Sequence, residues 1–378
     1  MRIGIEAQRI FREHKHGMDF VALELIRNLQ ELDKENEYFI FVQDGPDDQV
    51  IQETANFKII SLKGAFPIIE QILIPWQARR LKLDLLHFTS NTAPLWPGTK
   101  LVLTLHDIIF MERKGFFTSG YTLYQAFGNW YRRLLLPRIL GKLSRIITVS
   151  SYEQKVIADF FPNLNSEDIT VIHNGYSRHF KPIDDLEHLR AVQEAYNLPD
   201  KYILFLGNTD PKKNSPRVIQ AFAQLCQEKG CEYKLVVADL DEAIIEDYLH
   251  EVNLEEQITN FHITNYVRNQ DLPAIMNKAH LFLYPSLRES FGIPLLEAMA
   301  CACPVITGNS SSLPEIAQDA ALQVDVREES NIKEAIELVL NDVQLRQRLI
   351  ERGLKRCQDF NWLSTAKQTL ALYQSMQA

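Results

Sequence analysis

The sequence predicts an α/β protein made of two doubly wound parallel sheets, each with its own core. Three observations carry that prediction. Short, almost continuously apolar runs alternate with amphipathic segments, the pattern of strands covered on both faces by helices. The alternation pauses once, over 174–200, and then restarts. At 378 residues the chain is also longer than one core ordinarily serves.

The elements follow in order. Strand-like runs fall at 2–7, 38–43, 57–62, 83–88, 101–106, 145–150 and 170–172. Between the first two lies a helical pattern at 20–32, with apolar residues at 21, 22, 25, 26 and 29. The pause contains Gly175, Pro182, Pro199 and many charges, so 181–200 is expected to be a linker. Six further runs follow at 202–206, 233–238, 258–263, 281–284, 304–307 and 321–324, again separated by helical segments. The expected domains are 1–180 and 201–358, with a closing helix in 359–378 that has no strand after it and can cross back to the first domain. In such sheets ligands bind beyond the carboxyl ends of the strands, so chemistry is expected directly after strands, in a cleft between the domains.

Composition narrows the partners. A net charge of -9 argues against general nucleic-acid binding. The charge is uneven: residues 1–180 hold 21 Lys and Arg against 20 Asp and Glu, and the remainder 19 against 29, as two domains with different partners would. No apolar run approaches the roughly 20 residues of a spanning helix. The opening MRIGIEAQRI has the form of a first strand rather than a leader, so a cytoplasmic protein is expected. The five cysteines lack the spacing of a zinc or redox motif and are expected as small buried side chains in a reducing compartment.

Four post-strand segments carry candidate chemistry. The first runs Tyr284-Pro-Ser-Leu-Arg-Glu289-Ser-Phe-Gly-Ile-Pro-Leu-Leu-Glu297-Ala-Met-Ala. Pro294 suits the first turn of a helix, whose unpaired N–H groups and positive dipole end can receive a diphosphate. Gly292 allows close backbone approach. Glu289 in the loop and Glu297 in the helix can reach two parts of one elongated ligand, because carboxylates accept hydrogen bonds from vicinal hydroxyls. They can equally be surface charges flanking an ordinary turn.

The second segment is Phe205-Leu-Gly207-Asn-Thr-Asp-Pro-Lys212-Lys213-Asn214, where a glycine turn, two ammonium groups and a following helix suit the same anion. The plainer alternative is a solvated loop. The third, Leu101-Val-Leu-Thr-Leu-His106-Asp107, places a histidine after a buried strand, where a backbone carbonyl often satisfies it. The fourth, His14-Lys-His16-Gly17-Met-Asp19, follows the first strand; its two histidines without a third ligand are weak as a metal site.

The string from 285 to 304 resembles the Glu-x7-Glu signature of retaining glycosyltransferase family 4, whose members adopt the two-domain GT-B architecture. Matches run in family order along the whole chain, including Ile147-Thr-Val-Ser150, His173-Asn174-Gly175 and Ser310-Ser-Ser-Leu-Pro314-Glu315. The resemblance implies a catalytic set of Glu289, His106 and Lys213. Glu289 would contact the transferred sugar and Glu297 the nucleotide ribose. Gly17, Gly207, Lys212, Lys213, Ser290, Phe291, Gly292 and Ile293 would complete the donor site, and Asp107 would face the acceptor. The family arginine after the glycine is Asn208 here, which leaves Lys212 as the substitute second cation. The Gly-Ile-Gly or Gly-Gly of the first loop is Gly17-Met18-Asp19.

The activity so implied is metal-independent transfer of a hexose from a GDP- or UDP-sugar, with no further cofactor, to a glycan or lipid-linked acceptor in polysaccharide or glycoconjugate synthesis. The Asp-Pro-Lys-Lys-Asn run resembles that of the family's mannosyl- and rhamnosyl-type polysaccharide enzymes, which implies mannose as the first choice. A sugar-nucleotide epimerase of the same architecture, or an inactive nucleotide-sugar-binding protein, are the alternatives. Finally, 112–145 carries seven Lys and Arg and one acidic residue among seven aromatics. It is either a domain helix with core aromatics and solvated basic residues, or a peripheral membrane contact through 116–145 with Arg132 and Arg133 at lipid phosphates.

Overall fold

The computed structural model describes residues 1–112 and 123–377. The chain divides into two units, Met1–Gly175 with the segment from Trp362 onward, and Tyr176–Asn361. Each is a parallel sheet wrapped by helices.

In the first unit β1 (Arg2–Glu6), β2 (Glu37–Val42), β3 (Phe57–Ser61), β4 (Leu85–Phe88), β5 (Lys100–Thr104), β6 (Arg145–Thr148) and β7 (Ile169–Val171) lie in the order β3-β2-β1-β4-β5-β6-β7. Side chains alternate across this sheet. Tyr38, Ile40 and Val42 of β2 join one core with Ile26 and Leu29 of the helix Gly17–Leu32. Phe39 and Phe41 join the opposite core with Ile74, Leu136 and Ile139. That two-residue period is what buries both faces. The expected apolar stripe of the first helix, Val21, Ala22, Leu25, Ile26 and Leu29, is buried throughout.

The second unit has β8 (Tyr202–Leu206), β9 (Lys234–Ala238), β10 (Phe261–Asn265), β11 (Leu281–Tyr284), β12 (Val305–Gly308) and β13 (Leu322–Val324), in the order β10-β9-β8-β11-β12-β13. Both orders reverse direction once, between β1 and β4 and between β8 and β11. Those reversals are the switch points at which such sheets receive ligands.

Two expectations need correction. The segment 181–200 is not a bare linker, because it contains the helix Leu186–Ala195, capped by Asp185 Oδ1 on His188 N at 3.0 Å. Within that helix only Val192 is buried, so its periodicity is too thin to stand out against the surrounding charges. The cysteines are not all free. Gly230, at φ +75, turns the chain after the helix Ser215–Lys229 and brings Cys231 back to Cys226, with which it forms a disulfide at a Cα–Cα separation of 4.8 Å. Cys301, Cys303 and Cys357 are buried thiols.

The basic aromatic stretch is mixed. Phe116, Phe117 and Tyr121 lie outside the described residues. The helix Leu123–Ile139 buries Leu135, Leu136 and Ile139, but exposes Phe127, Trp130 and Leu134. Arg133 bonds the Phe110 carbonyl and the Arg132 guanidinium lies 6.0 Å from the Phe110 ring.

The last helix, Trp362–Ser375, packs on the helix Gly17–Leu32. A fully buried chain of polar contacts pins it: Tyr373 Oη to His87 Nδ1 at 2.5 Å, then His87 Nε2 to Thr104 Oγ1 at 2.7 Å. Burial, with a smaller contribution from His106, depresses His87 to about 3. It is therefore neutral in the folded chain. Unfolding restores an ordinary imidazole, so its stabilising effect is complete above about pH 6.5 and fades as pH falls towards 3. Tyr373→Phe removes the hydroxyl but keeps the ring. Urea denaturation should show a loss of about 1–2 kcal/mol with an unchanged m-value.

Candidate functional site

The second unit assembles a site at its switch point, from the loops after β8 and β11. The turn after β8 is held by Asp210, whose Oδ1 accepts from Lys212 N at 3.1 Å. Asn214 ends it at φ +61 and donates to the Val326 carbonyl at 2.7 Å. The two loops are tied by Leu287 N donating to the Lys212 carbonyl at 2.7 Å.

Lys213 is thereby aimed at the neighbouring loop. Its Nζ lies 2.7 Å from Glu289 Oε1 and 4.8 Å from the centre of the buried Tyr284 ring. The pair is largely enclosed, with side chains 17% and 12% exposed. Burial pushes the Glu289 carboxyl up, but the Lys213 and Lys212 ammonium groups and hydrogen bonds from Lys213 and Ser286 outweigh it. Glu289 is held below its ordinary value and stays charged. Asn208 supplies no cation; its Oδ1 accepts from Asp210 N at 2.9 Å, so Lys212 is the second positive group felt by Glu289.

Three consecutive serines brace the loop that carries Glu289. Ser310 Oγ donates to the Leu287 carbonyl at 3.1 Å, Ser311 Oγ accepts from Glu289 N at 3.0 Å, and Ser312 Oγ donates to the Glu289 carbonyl at 2.9 Å. Phe291 turns its ring inward, edge-on to Phe360 at 5.7 Å, so its contribution to a ligand is limited to backbone. Ser290 and Ile293 are half-buried on either side. Gly292 then caps the helix Ile293–Ala300 at φ +103, and a Cβ there would meet Leu313 Cδ2 at 3.1 Å. A side chain at this residue is strained by backbone as well as by space. Gly207 is crowded differently, since its Cβ would lie 2.5 Å from Leu240 Cδ1.

Glu297 lies one turn into that helix. Burial alone raises its carboxyl to about 8. The site thus holds one charged carboxylate and, eight residues on, one protonated acid that can both donate and accept a hydrogen bond at neutral pH.

The remaining expected residues lie in the first unit, beyond β1 and β5. His106 is buried. Its backbone N–H donates to Asn91 Oδ1 at 2.7 Å and its Nε2 lies 2.9 Å from the Thr89 carbonyl, which makes Nε2 the protonated nitrogen. Burial pulls the imidazole below its ordinary value, only partly opposed by the Thr89 carbonyl and Asp107. The simple structural role is therefore met at Nε2, leaving Nδ1 as the acceptor. Asp107 Oδ1 accepts from Ile109 N at 3.1 Å and starts the next short helix. Gly17 begins its helix with open space where a Cβ would stand.

Sequence reasoning passed over Gln8, Arg9 and Glu6 beside them. Arg9 Nε pairs with the buried Asp19 Oδ1 at 3.1 Å, and both charges act on His106. Glu6 Oε2 accepts from Ser90 Oγ at 2.9 Å. The Gln8 amide is buried with both polar atoms unpartnered. The available signal was position, since all three residues end or follow the first strand.

Two family models divide the chain between them: Glycosyltransferase Family 4 matches residues 16–179 and Glycosyl transferases group 1 matches 190–356. The chain belongs to glycosyltransferase family 4. This family 4 chain is 30% identical over 246 residues to the O-antigen chain mannosyltransferase B of Escherichia coli, a match covering 64% of each protein. It spans, in other words, just under two thirds of that relative. Among solved structures it resembles the sucrose-phosphate synthase of Thermosynechococcus elongatus, at a TM-score of 0.74 and 19% identity over 99% of this chain and 98% of the other. It also resembles HepE of Anabaena in complex with UDP and glucose, at a TM-score of 0.71 and 16% identity over 99% of each. These likenesses establish the GT-B fold for the family 4 chain.

The upward shift of the Glu297 carboxyl yields a signed prediction. Between the ordinary value of 4.5 and about 8 the folded chain holds a proton that the unfolded chain releases, so stability falls as pH rises through this window. Glu297→Gln removes that dependence. Its stability relative to the parent should rise by about 1 kcal/mol per pH unit between those limits, as measured by denaturant titration.

Proposed function

We propose that the chain transfers a hexose, with retention of configuration, from a nucleoside diphosphate sugar to a hydroxyl of a glycan or lipid-linked acceptor. The observation that carries this reading is the enclosed Lys213–Glu289 pair beside the helix start at Gly292. A charged carboxylate suits sugar hydroxyls, the protonated Glu297 suits a ribose, and two lysines with a helix N-terminus suit a diphosphate. In this reading the second unit holds the donor; Gly207, Ser290, Phe291 and Ile293 line it largely through backbone, and Lys212 adds its ammonium group. To the first unit the family resemblance assigns Gly17 for the donor, His106 for the transferred sugar or leaving phosphate, and Asp107 for the acceptor.

The chemistry asked of the protein is electrostatic. As the bond between sugar and diphosphate breaks, negative charge grows on the phosphate, and Lys213, Lys212 and the helix N–H groups stabilise it without a metal ion. The leaving phosphate takes the proton of the attacking hydroxyl on the same face of the sugar. Neutral His106 contributes a hydrogen bond rather than a charge. The name of the Escherichia coli relative favours mannose and hence GDP-mannose, whereas the HepE complex favours a uridine nucleotide. The O-antigen in the same relative's name supports a role in cell-surface polysaccharide synthesis, and with a lipid-linked acceptor we place it at the cytoplasmic face of a membrane.

Glu289→Gln keeps size and removes charge. Turnover with the accepted donor should fall at least about a hundredfold while donor-induced stabilisation persists. Melting temperatures recorded against UDP-, GDP-, ADP- and dTDP-sugars identify the donor first. Parent-like turnover in the Glu289→Gln variant would sink the assignment.

A further inference from the structure

The chain has four tryptophans, and three of them are exposed on the first unit: Trp76 at 55%, Trp96 at 69% and Trp130 at 44%. Trp362 alone is buried. Single exposed apolar residues need no explanation, but these come from neighbouring segments and have apolar companions. Ile68, Ile72 and Trp76 stand four residues apart along the helical run 66–80, exposed by 50%, 60% and 55%. Phe127, Trp130 and Leu134 follow at helical spacing on Leu123–Ile139.

The turn Ile69–Leu73 is a π-helix. Its wider turn keeps residues four apart more nearly in line than an α-helix does, which straightens the row from Ile68 to Trp76.

A buried polar network locks the segments together. Tyr131 Oη donates to Glu70 Oε1 at 2.7 Å and lies 3.0 Å from Gln71 Nε2. Gln71 Oε1 accepts from Leu95 N at 3.0 Å, which places the Trp96 loop beside both helices. Lys142 closes the edge, its Nζ 2.7 Å from the Leu95 carbonyl and 5.2 Å from the Trp96 ring. The face is therefore preformed rather than a loose cluster.

Within its two helical segments the exposed charges have one sign among the described residues. The segment 123–145 contains five Arg and Lys and no Asp or Glu. In 66–100 the two acids are Glu70, which is buried in the network, and Asp84, which accepts from Arg2 N at the start of β4. Arg79, Arg80, Arg138 and Lys142 are exposed at the margins. Aromatic and aliphatic side chains in the middle, tryptophans among them and cations around the rim match an interface between water and anionic lipid. A protein partner or second copy would have to leave those cations unpaired or bring its own acids.

We propose that this face docks the first unit on an anionic bilayer, with Ile68, Ile72, Trp76, Trp96, Phe127 and Trp130 at the acyl boundary and the four marginal cations at lipid phosphates. The inference goes beyond transfer chemistry and does not depend on it. Vesicle binding is measured without donor, so a failed donor assignment leaves it standing.

The test is co-sedimentation of the full chain with phosphatidylcholine vesicles with and without phosphatidylglycerol, alongside sedimentation velocity in the absence of lipid. Binding should require the anionic lipid and weaken at high salt. Trp76→Ser with Trp130→Ser should lower the partition coefficient by about tenfold or more. Arg138→Glu with Lys142→Glu should remove the anionic preference. All four residues are exposed, and circular dichroism verifies that the variants fold. Parent binding equal on neutral and anionic vesicles, no binding at all, or undiminished binding by both variants overturns the proposal. So does a lipid-free dimer that the tryptophan substitutions dissociate, since the face would then belong to a second copy.

Discussion

Keeping one carboxylate charged in an enclosed site is the constraint on which the candidate donor site depends. Eight residues beyond Glu289, on the same run of chain, Glu297 shows what burial does without a partner: its carboxyl rises to about 8. Glu289 escapes that fate because Lys213 lies 2.7 Å away. A buried pair of this kind contributes little net stability and becomes costly if either member is lost. It is better understood as a device for presenting charge. Lys213 reaches Glu289 only because β8 and β11 are neighbours in the sheet, although β9 and β10 come between them in the sequence. The Lys212 carbonyl then receives the Leu287 N–H and sets the spacing of the two loops. The serines at 310, 311 and 312 hold the other side of the loop. Sheet order, loop bracing and charge state are thus successive layers of one arrangement.

Much of this was legible in the sequence, for reasons that differ by element. Central strands of both sheets, such as Tyr202–Leu206 and Leu281–Tyr284, stand out because parallel strands buried on both faces are nearly continuous apolar runs. The helix Leu186–Ala195 did not, because one buried side chain cannot announce a face among so many charges. The residues of the donor loops were legible through the family string, yet their division into a charged and a protonated carboxyl was not. That difference arises from a lysine 76 positions away in the chain, and spacing says nothing about it. The cysteines illustrate the opposite limit. Cys226 and Cys231 are five apart, and only the left-handed Gly230 between them brings their Cα atoms within bridging distance. Likewise, the aromatics near 130 fitted a core helix and a surface equally, and spacing did not say which of them are exposed. That depended on two other segments, 66–80 and the Trp96 loop, being folded against them.

The two histidines of the first sheet clarify how charge is apportioned in the proposed reaction. His87 lies on β4 and His106 just beyond the adjacent β5, and burial holds both below the ordinary imidazole value. In the reading proposed above, His106 contributes no charge of its own. As a neutral ring protonated at Nε2 by the Thr89 carbonyl contact, it offers Nδ1 as a hydrogen-bond acceptor, which suits a sugar hydroxyl rather than a phosphate oxygen. Its chemistry therefore favours the substrate side over the leaving group. The growing charge is left to Lys213, Lys212 and the helix start, all within the second unit. Donor electrostatics are consequently self-contained there, and substitutions around His106 should act on sugar positioning rather than on affinity for the nucleotide.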